Sequence, residues 1–342
     1  MAGRLRLVST IASVNCAQFV TLIKEDSYSR LSLPPRHSPE QSPESMDVAA
    51  LAAPLPAIIA AAQNCDVGLL RRELDSGVSA DLEDFTGRTP LQLVCKIETR
   101  PSRRDPLGLG PTEANEEGRT ACVKLLIERG ACVDAGLPNN PGRSTHEHTF
   151  YFTPLMYIAL RNNPEVVKLL LSAGADANAL IDVQPLFRHT PLANAVREYC
   201  RCSASQVYAA SLEEQRQCAF VVDALLKAGA DPNGPKYDER SAIEWAIGIS
   251  ADLGYNTRPI WPILLRAGAI IPTESDHYDE SEWATCRAHP YLQKIEAAGG
   301  WKAYEKAHRT KLLATFVPKF THLVPPELVP LIVEFSFHIG FY

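Results

Sequence analysis

The sequence predicts an all-α solenoid of about five stacked helix pairs, closed at its C-terminal end by a helical cap. Three observations carry that expectation. An apolar helix followed by Gly and a small apolar residue recurs five times, a Thr-Pro-Leu element recurs three times with a degenerate fourth, and the two alternate at regular intervals. Such self-similarity marks stacked-repeat folds, in which each unit buries its apolar face only against its neighbours.

The leucine-rich element runs through Leu69-Leu70, Leu74 and Gly77-Val78, then from Val123 to Ala131. Its most regular copies are Val166 to Asn178 and Val221 to Asn233, and Ile263 to Ala269 is the fifth. Leucines at helical spacing bury one face, and the Gly that follows supplies the left-handed residue that ends a helix. Asp176 with Asn178, and Asp231 with Asn233, fall two and four residues after their Gly, where they favour the turn into a finger loop.

The second element is Thr89-Pro90-Leu91, Thr153-Pro154-Leu155 and Thr190-Pro191-Leu192, with Ser241-Ala242-Ile243 as its degenerate copy. Thr caps a helix N-terminus and Pro is preorganised at the first helical position, so the element starts a helix. Thr153 to Gly174 spans 21 residues, while Gly77 to Thr89 and Gly229 to Ser241 each span 12. Together they close a period of about 33 residues. Counting 21 back from Gly77 reaches Pro56, where the first repeat is expected to begin with a degenerate signature.

Other intervals are longer. Thr89 to Gly130 is 41, with an insert rich in Pro, Gly and Arg from Arg100 to Gly118; Gly130 to Thr153 is 23, an enlarged finger holding His146 and His148. Thr190 to Gly229 is 39, and the stretch Tyr199 to Gln215 lacks Pro and Gly, so it should lengthen the helices. Ser241 to Gly268 is 27, a small excess around Asp252 to Pro259. This ordered pairing of leucine helices, capping glycines and Thr-Pro-Leu starts resembles the ankyrin repeat, whose signature is T-P-L-H-x-A. The resemblance covers residues 50–272 and implies a concave face of finger loops and first helices suited to a protein partner.

Three regions follow. Residues 1–45 are expected to be disordered, because Ser27 to Ser45 is rich in Ser, Pro and Arg and cannot offset its ordering entropy by burial. Met1 to Lys24 carries three basic residues and no acid, which leaves a targeting segment or a true start at Met46 as readings. Residues 46–272 form the repeats, and residues 273–342 form the cap. In the cap an acidic stretch, Glu274 to Glu282, precedes a helical segment from Pro290 to Phe316 that Gly299-Gly300 should break.

The run from Leu323 to Phe335 resembles the start of an F-box, and behind a helical array it resembles the poxvirus-type ankyrin proteins. That resemblance implies docking of a Skp1-type adaptor through Pro326, Glu327, Leu328, Leu331, Ile332 and Phe335. The other reading of the same apolar stripe is a plain helix that shields the last repeat.

Composition narrows function. The net charge of -6 is small and scattered, so no phosphate-binding surface and no nucleic acid are expected. The apolar run from Val48 to Ala62 is shorter than the ~18 residues of a membrane span and contains Pro54 and Pro56. Nine scattered cysteines and no N-x-[ST] acceptor favour a reducing compartment, and a cytoplasmic or nuclear monomer is expected. Cys200 and Cys202, with Cys218 the next thiol, read as unpaired helical thiols, and His146-Glu147-His148 as a solvated loop, so neither a metal nor another cofactor is expected.

With no nucleophile, base and orienter to assemble, the chain reads as a non-enzyme. Binding then rests on residues just before each helix start: Phe85 and Arg88, Phe150 and Tyr151, Phe187 and Arg188, Tyr237 and Arg240. Aromatic and Arg side chains dominate binding hot spots, and these are expected to project from the fingers unless the aromatics tuck between neighbouring fingers. Two functions remain: a scaffold that binds a protein, or a substrate receptor that recruits a cullin-type ubiquitin ligase through the adaptor.

Overall fold

The computed structural model describes residues 56–96, 113–136, 152–161, 163–184, 187–203, 212–237, 240–320 and 327. Residues 1–45, expected to be disordered, lie outside the described residues. So do His146, His148, Phe150 and Tyr151.

Five antiparallel helix pairs follow one another: α1 (Ala57–Asn64) with α2 (Val67–Asp75), α3 (Pro90–Lys96) with α4 (Glu113–Glu128), α5 (Pro154–Ala159) with α6 (Pro164–Ser172), α7 (Pro191–Cys202) with α8 (Leu212–Lys227), and α9 (Ala242–Leu253) with α10 (Trp261–Arg266). First helices pack on first helices in the order α1, α3, α5, α7, α9, and second helices pack in the order α2, α4, α6, α8, α10. The core lies between these two rows, and Leu91, Leu126, Leu155, Leu170, Leu225 and Leu264 are fully buried in it. Among the described residues strand is confined to one finger, where β1 (Ile181–Gln184) pairs antiparallel with β2 (Phe187–His189), placing Ile181 opposite His189 and Asp182 opposite Arg188.

Each helix starts where the repeated element places it. Thr153 Oγ1 accepts from the Met156 amide at 3.2 Å and Thr190 Oγ1 from Ala193 at 3.1 Å. The degenerate Ser241 is reinforced by a capping box with Glu244. The second helices end on Gly77, Gly130, Gly174, Gly229 and Gly268, all left-handed with φ between 80° and 100°. After each, the next amide reaches back to the carbonyl four residues before the Gly, as from Ala175 to Leu170 at 3.0 Å and from Ala230 to Leu225 at 3.0 Å.

That turn sets up a stitch between repeats. The side chain four residues after one Gly accepts from the amide two residues after the next Gly: Asp81 from Cys132 at 2.9 Å, Asp134 from Asp176 at 3.0 Å, Asn178 from Asp231 at 2.8 Å, and Asn233 from Ile270 at 2.8 Å. The two asparagines also donate, Asn178 Nδ2 to the Gly229 carbonyl and Asn233 Nδ2 to the Gly268 carbonyl, both at 2.9 Å.

The two long inserts take different forms. The stretch ending at Gly118 is partly helical, because α4 begins at Glu113, and it brings buried Arg119 Nη1 to the Val94 carbonyl at 3.1 Å. The insert after Thr190 lengthens both helices of its pair, as expected.

In the cap, the acidic stretch hides a helix that the sequence reading left out, α11 (Glu280–Arg287). Asp279 and Glu282 form its capping box, and Trp283 is buried with its Nε1 donating to the Pro272 carbonyl at 2.9 Å. Tyr278 stacks on Trp283 and donates to Asp252 Oδ2 at 2.9 Å. A Cβ on Gly248 would stand 2.0 Å from that Tyr278 hydroxyl, so only Gly lets the cap approach α9. Helices α12 (Pro290–Ala297) and α13 (Trp301–Phe320) follow, separated by the left-handed Gly299 and Gly300. Arg266 pairs with Glu305 at 2.8 Å and ties α13 to α10.

Replacing Leu170 by Ala should cost about 2–5 kcal/mol. Asn178→Ala, which removes one donor and one acceptor at an exposed site, should cost about 1–3 kcal/mol. Urea denaturation of both variants checks the two values, and an unchanged midpoint for Asn178→Ala would show that the stitch carries no stability.

Candidate protein-binding face

The finger bases and first helices build a row of rings and guanidinium groups. Phe152 lies 4.6 Å from His189, His189 lies 4.9 Å from Tyr237, and Tyr237 lies 5.7 Å from Trp245. Arg240 sits 3.6 Å over Trp245 and Arg197 sits 4.3 Å over Tyr237. Both contacts pair a cation with the electron-rich face of a ring. The groove beside this row is lined by Leu192, Val196 and Arg197 of α7, by Pro232, Pro235 and Tyr237 of the finger, and by Trp245 of α9.

The residues expected to project therefore divide. Phe85 is 76% exposed and Arg188 is exposed, whereas Arg88 is half-buried. Tyr237 and Arg240 correct the expectation of projection, since they are 6% and 8% exposed. The physical reason is local: Tyr237 and Arg240 bond to each other across the finger base, at 3.0 and 3.1 Å, which turns both side chains into the ring row. Tyr237 thus tucks between elements, the alternative that its sequence left open. Phe187 falls in β2, and its side chain, like Tyr151, lies outside the described residues.

Sequence reasoning missed Tyr157, His189, Arg197 and Trp245. Trp245 follows Ser241 by four residues as Tyr157 follows Thr153, and both are half-exposed on their first helices. That shared offset was the available signal.

His189 is the titratable group at the centre of the row. Burial, then the nearby Arg197 cation, lower its pKa to about 4, against the opposing pull of its bond to Asn194. His189 Nδ1 lies 3.1 Å from Asn194 Oδ1, and Asn194 Nδ2 donates to the Met156 carbonyl at 3.2 Å, so Nδ1 carries the proton of a neutral ring. The ring, with Asn194, joins the finger to both α5 and α7.

Of the adaptor residues, Glu327 is exposed, while Pro326, Leu328, Leu331, Ile332 and Phe335 lie outside the described residues. Among the described residues no group of three or more His, Cys, Asp or Glu side chains could hold a metal ion. Among them, too, no helix is long and apolar enough to cross a membrane.

Residues 112–233 match the family of ankyrin repeats, in 3 copies. They form an ankyrin array. No curated protein matches the chain, and no family match supports an F-box-like tail. The matched span begins at α4 and ends after α8. The glycine turns at Gly77 and Gly268, and the stitches from Asp81 and Asn233, show the same turn and stitch geometry in the helix pairs on either side.

The sign of the His189 shift fixes a pH dependence. A histidine whose folded pKa lies near 4, below an unfolded value of about 6.5, stabilises the fold fully above pH 6.5 and loses that contribution as pH falls towards 4. Between pH 7 and pH 5 the loss should be about 2 kcal/mol. Urea denaturation at the two pH values should show a clearly smaller difference in His189→Phe than in the natural chain.

Proposed function

We propose that the chain is a non-catalytic scaffold whose ankyrin array holds a protein partner on its concave face, across the finger tips and the groove between α7 and α9. The observation that carries this reading is the groove itself, where two Arg side chains, two aromatic rings and two prolines meet between two repeats. The rings and prolines present area with little rotamer entropy to lose, and aromatic and Arg side chains are the types that concentrate binding energy. Phe85 and Arg188 extend the face to the tips of other fingers.

The Skp1-type adaptor enters as a second reading through the motif from Leu323 to Phe335, whose one described residue, Glu327, is exposed. On that reading the array captures a target and the tail brings a ubiquitin ligase to it. Retention of purified Skp1 by the full chain, lost on Leu331→Asp with the melting temperature unchanged, supports this reading, and no retention by the full chain removes it.

Affinity purification with the full chain, followed by direct binding of the purified partner, tests the scaffold reading. Arg197→Glu and Phe85→Ala should each weaken that partner at least about tenfold, a loss of ~1.4 kcal/mol. Phe85→Ala, being at an exposed site, should change stability by less than about 0.5 kcal/mol. Unchanged affinity in both variants would move the binding surface elsewhere.

A further inference from the structure

Two of the cysteines form a pair that the scaffold does not use. Cys202 closes α7 and Cys218 lies on α8, and their sulfur atoms are 3.4 Å apart, with 1% and 2% of the residues exposed. Neither is in a disulfide. An S–S bond is about 2.05 Å long, so the two sulfurs need to approach by only about 1.4 Å, within one packed helix pair.

The surroundings of the pair differ at its two ends. Cys202 Sγ–H donates to Glu198 Oε1 at 3.6 Å, and Arg201 Nη2 stands 3.9 Å from the same sulfur. Arg201 and Glu198 are themselves ion-paired, with Nε to Oε2 at 2.7 Å. Cys202 thus has a carboxylate to take its proton and a guanidinium to stabilise the thiolate that remains. Cys218 donates its S–H to Cys202 and is placed to attack it in turn. At other buried thiols burial outweighs the neighbouring charges: it pushes Cys95 and Cys122 up to about 12, and raises Cys65 and Cys286 as well, even with the Arg119 cation acting on Cys65 and Cys95.

We propose that Cys202 and Cys218 are a redox-active dithiol that hydrogen peroxide closes into a disulfide between α7 and α8. The Cys202 thiolate attacks one peroxide oxygen, the O–O bond breaks, and the other oxygen leaves as water, giving a sulfenic acid. The Cys218 sulfur then attacks the Cys202 sulfur, the S–O bond breaks, and a second water leaves. The two thiols give up two electrons and two protons, and the peroxide takes up both. Cys202 is the terminal residue of its helix, where local opening is least costly, and this admits a molecule little larger than water. The bridge closes a short loop within one ankyrin repeat and ties down the helix that carries Leu192, Val196 and Arg197 of the groove.

The full chain, treated with a small excess of hydrogen peroxide and then alkylated, tests this by peptide mass mapping without reductant. The expected product is a single peptide pair joined through Cys202 and Cys218, lighter by two hydrogens and separated again by dithiothreitol. The oxidised chain should melt higher than the reduced chain by at least about 3 °C. In Cys218→Ser, Cys202 should stop at the sulfenic acid and take up dimedone at least about fivefold more than Cys202 of the natural chain. Recovery of both cysteines fully alkylated after peroxide, or a bridge from either to a different cysteine, would overturn the proposal. The peptide map and the melting shift use the natural chain, so they decide the matter even where Cys218→Ser does not fold.

Discussion

The left-handed glycine that ends each second helix is the constraint on which the rest of the array depends. At φ near 91° in Gly174 and Gly229, a Cβ would meet open space, so the requirement is one of backbone conformation and not of room. The turn it permits has two consequences. It satisfies the last carbonyls of the helix within the chain, and it presents its own carbonyl and a following amide towards the preceding repeat. Asn178 and Asn233 use both groups at once, and Asp81 and Asp134 use the amide alone. Each repeat is thereby held in register with the next by polar bonds at one edge and by buried leucines along the core. This is the nearest-neighbour coupling that lets a one-dimensional stack fold without long-range pairing.

Given that register, the finger bases fall one above another, and a continuous row of rings follows from stacking alone. Phe152, His189 and Tyr237 come from successive fingers, with Trp245 on the helix that follows the last, and they meet because the repeats are held at a fixed spacing. The row is buried at its centre and half-open where it meets the groove. His189 is neutral and locked to Asn194, which is a packing role, whereas Arg197 and Trp245 are only half-buried and open onto the groove. The cap extends the stack by the same logic, since α11 packs on α9 and α13 on α10, carrying both rows one step further.

The repeat pair α7 and α8 concentrates chemistry as well as shape. Its insert lengthens both helices and brings Glu198, Arg201, Cys202 and Cys218 together at the end away from the finger. The Glu198 carboxylate is buried, its partner Arg201 is half-buried, and the two thiols lie against this pair. The groove residues Leu192, Val196 and Arg197 lie on the same helix α7, so whatever fixes that helix also fixes one wall of the proposed binding face.

The sequence by itself determined the repeat. The alternation of Thr-Pro-Leu starts with glycine stops, spaced at 21 and 12 residues, places every first and second helix from Pro56 onward, because capping and the left-handed turn are local events. It also placed the break at Gly299-Gly300 and the lengthening of α7 and α8. What only the tertiary structure decided was orientation. Tyr237 and Arg240 carry the residue types of a binding surface, yet a backbone pairing across the finger base turns them inward, while Phe85, of the same type, stays out. The helix α11 was readable as an Asp279–Glu282 capping box, but its acidic composition concealed it until Trp283 found a buried partner in Tyr278. The approach of Cys202 to Cys218 was not readable, because sequence separation says nothing about which faces of two helices meet. Local propensities are written in neighbouring residues, and the facing of side chains is set by contacts that exist only once the repeats are stacked.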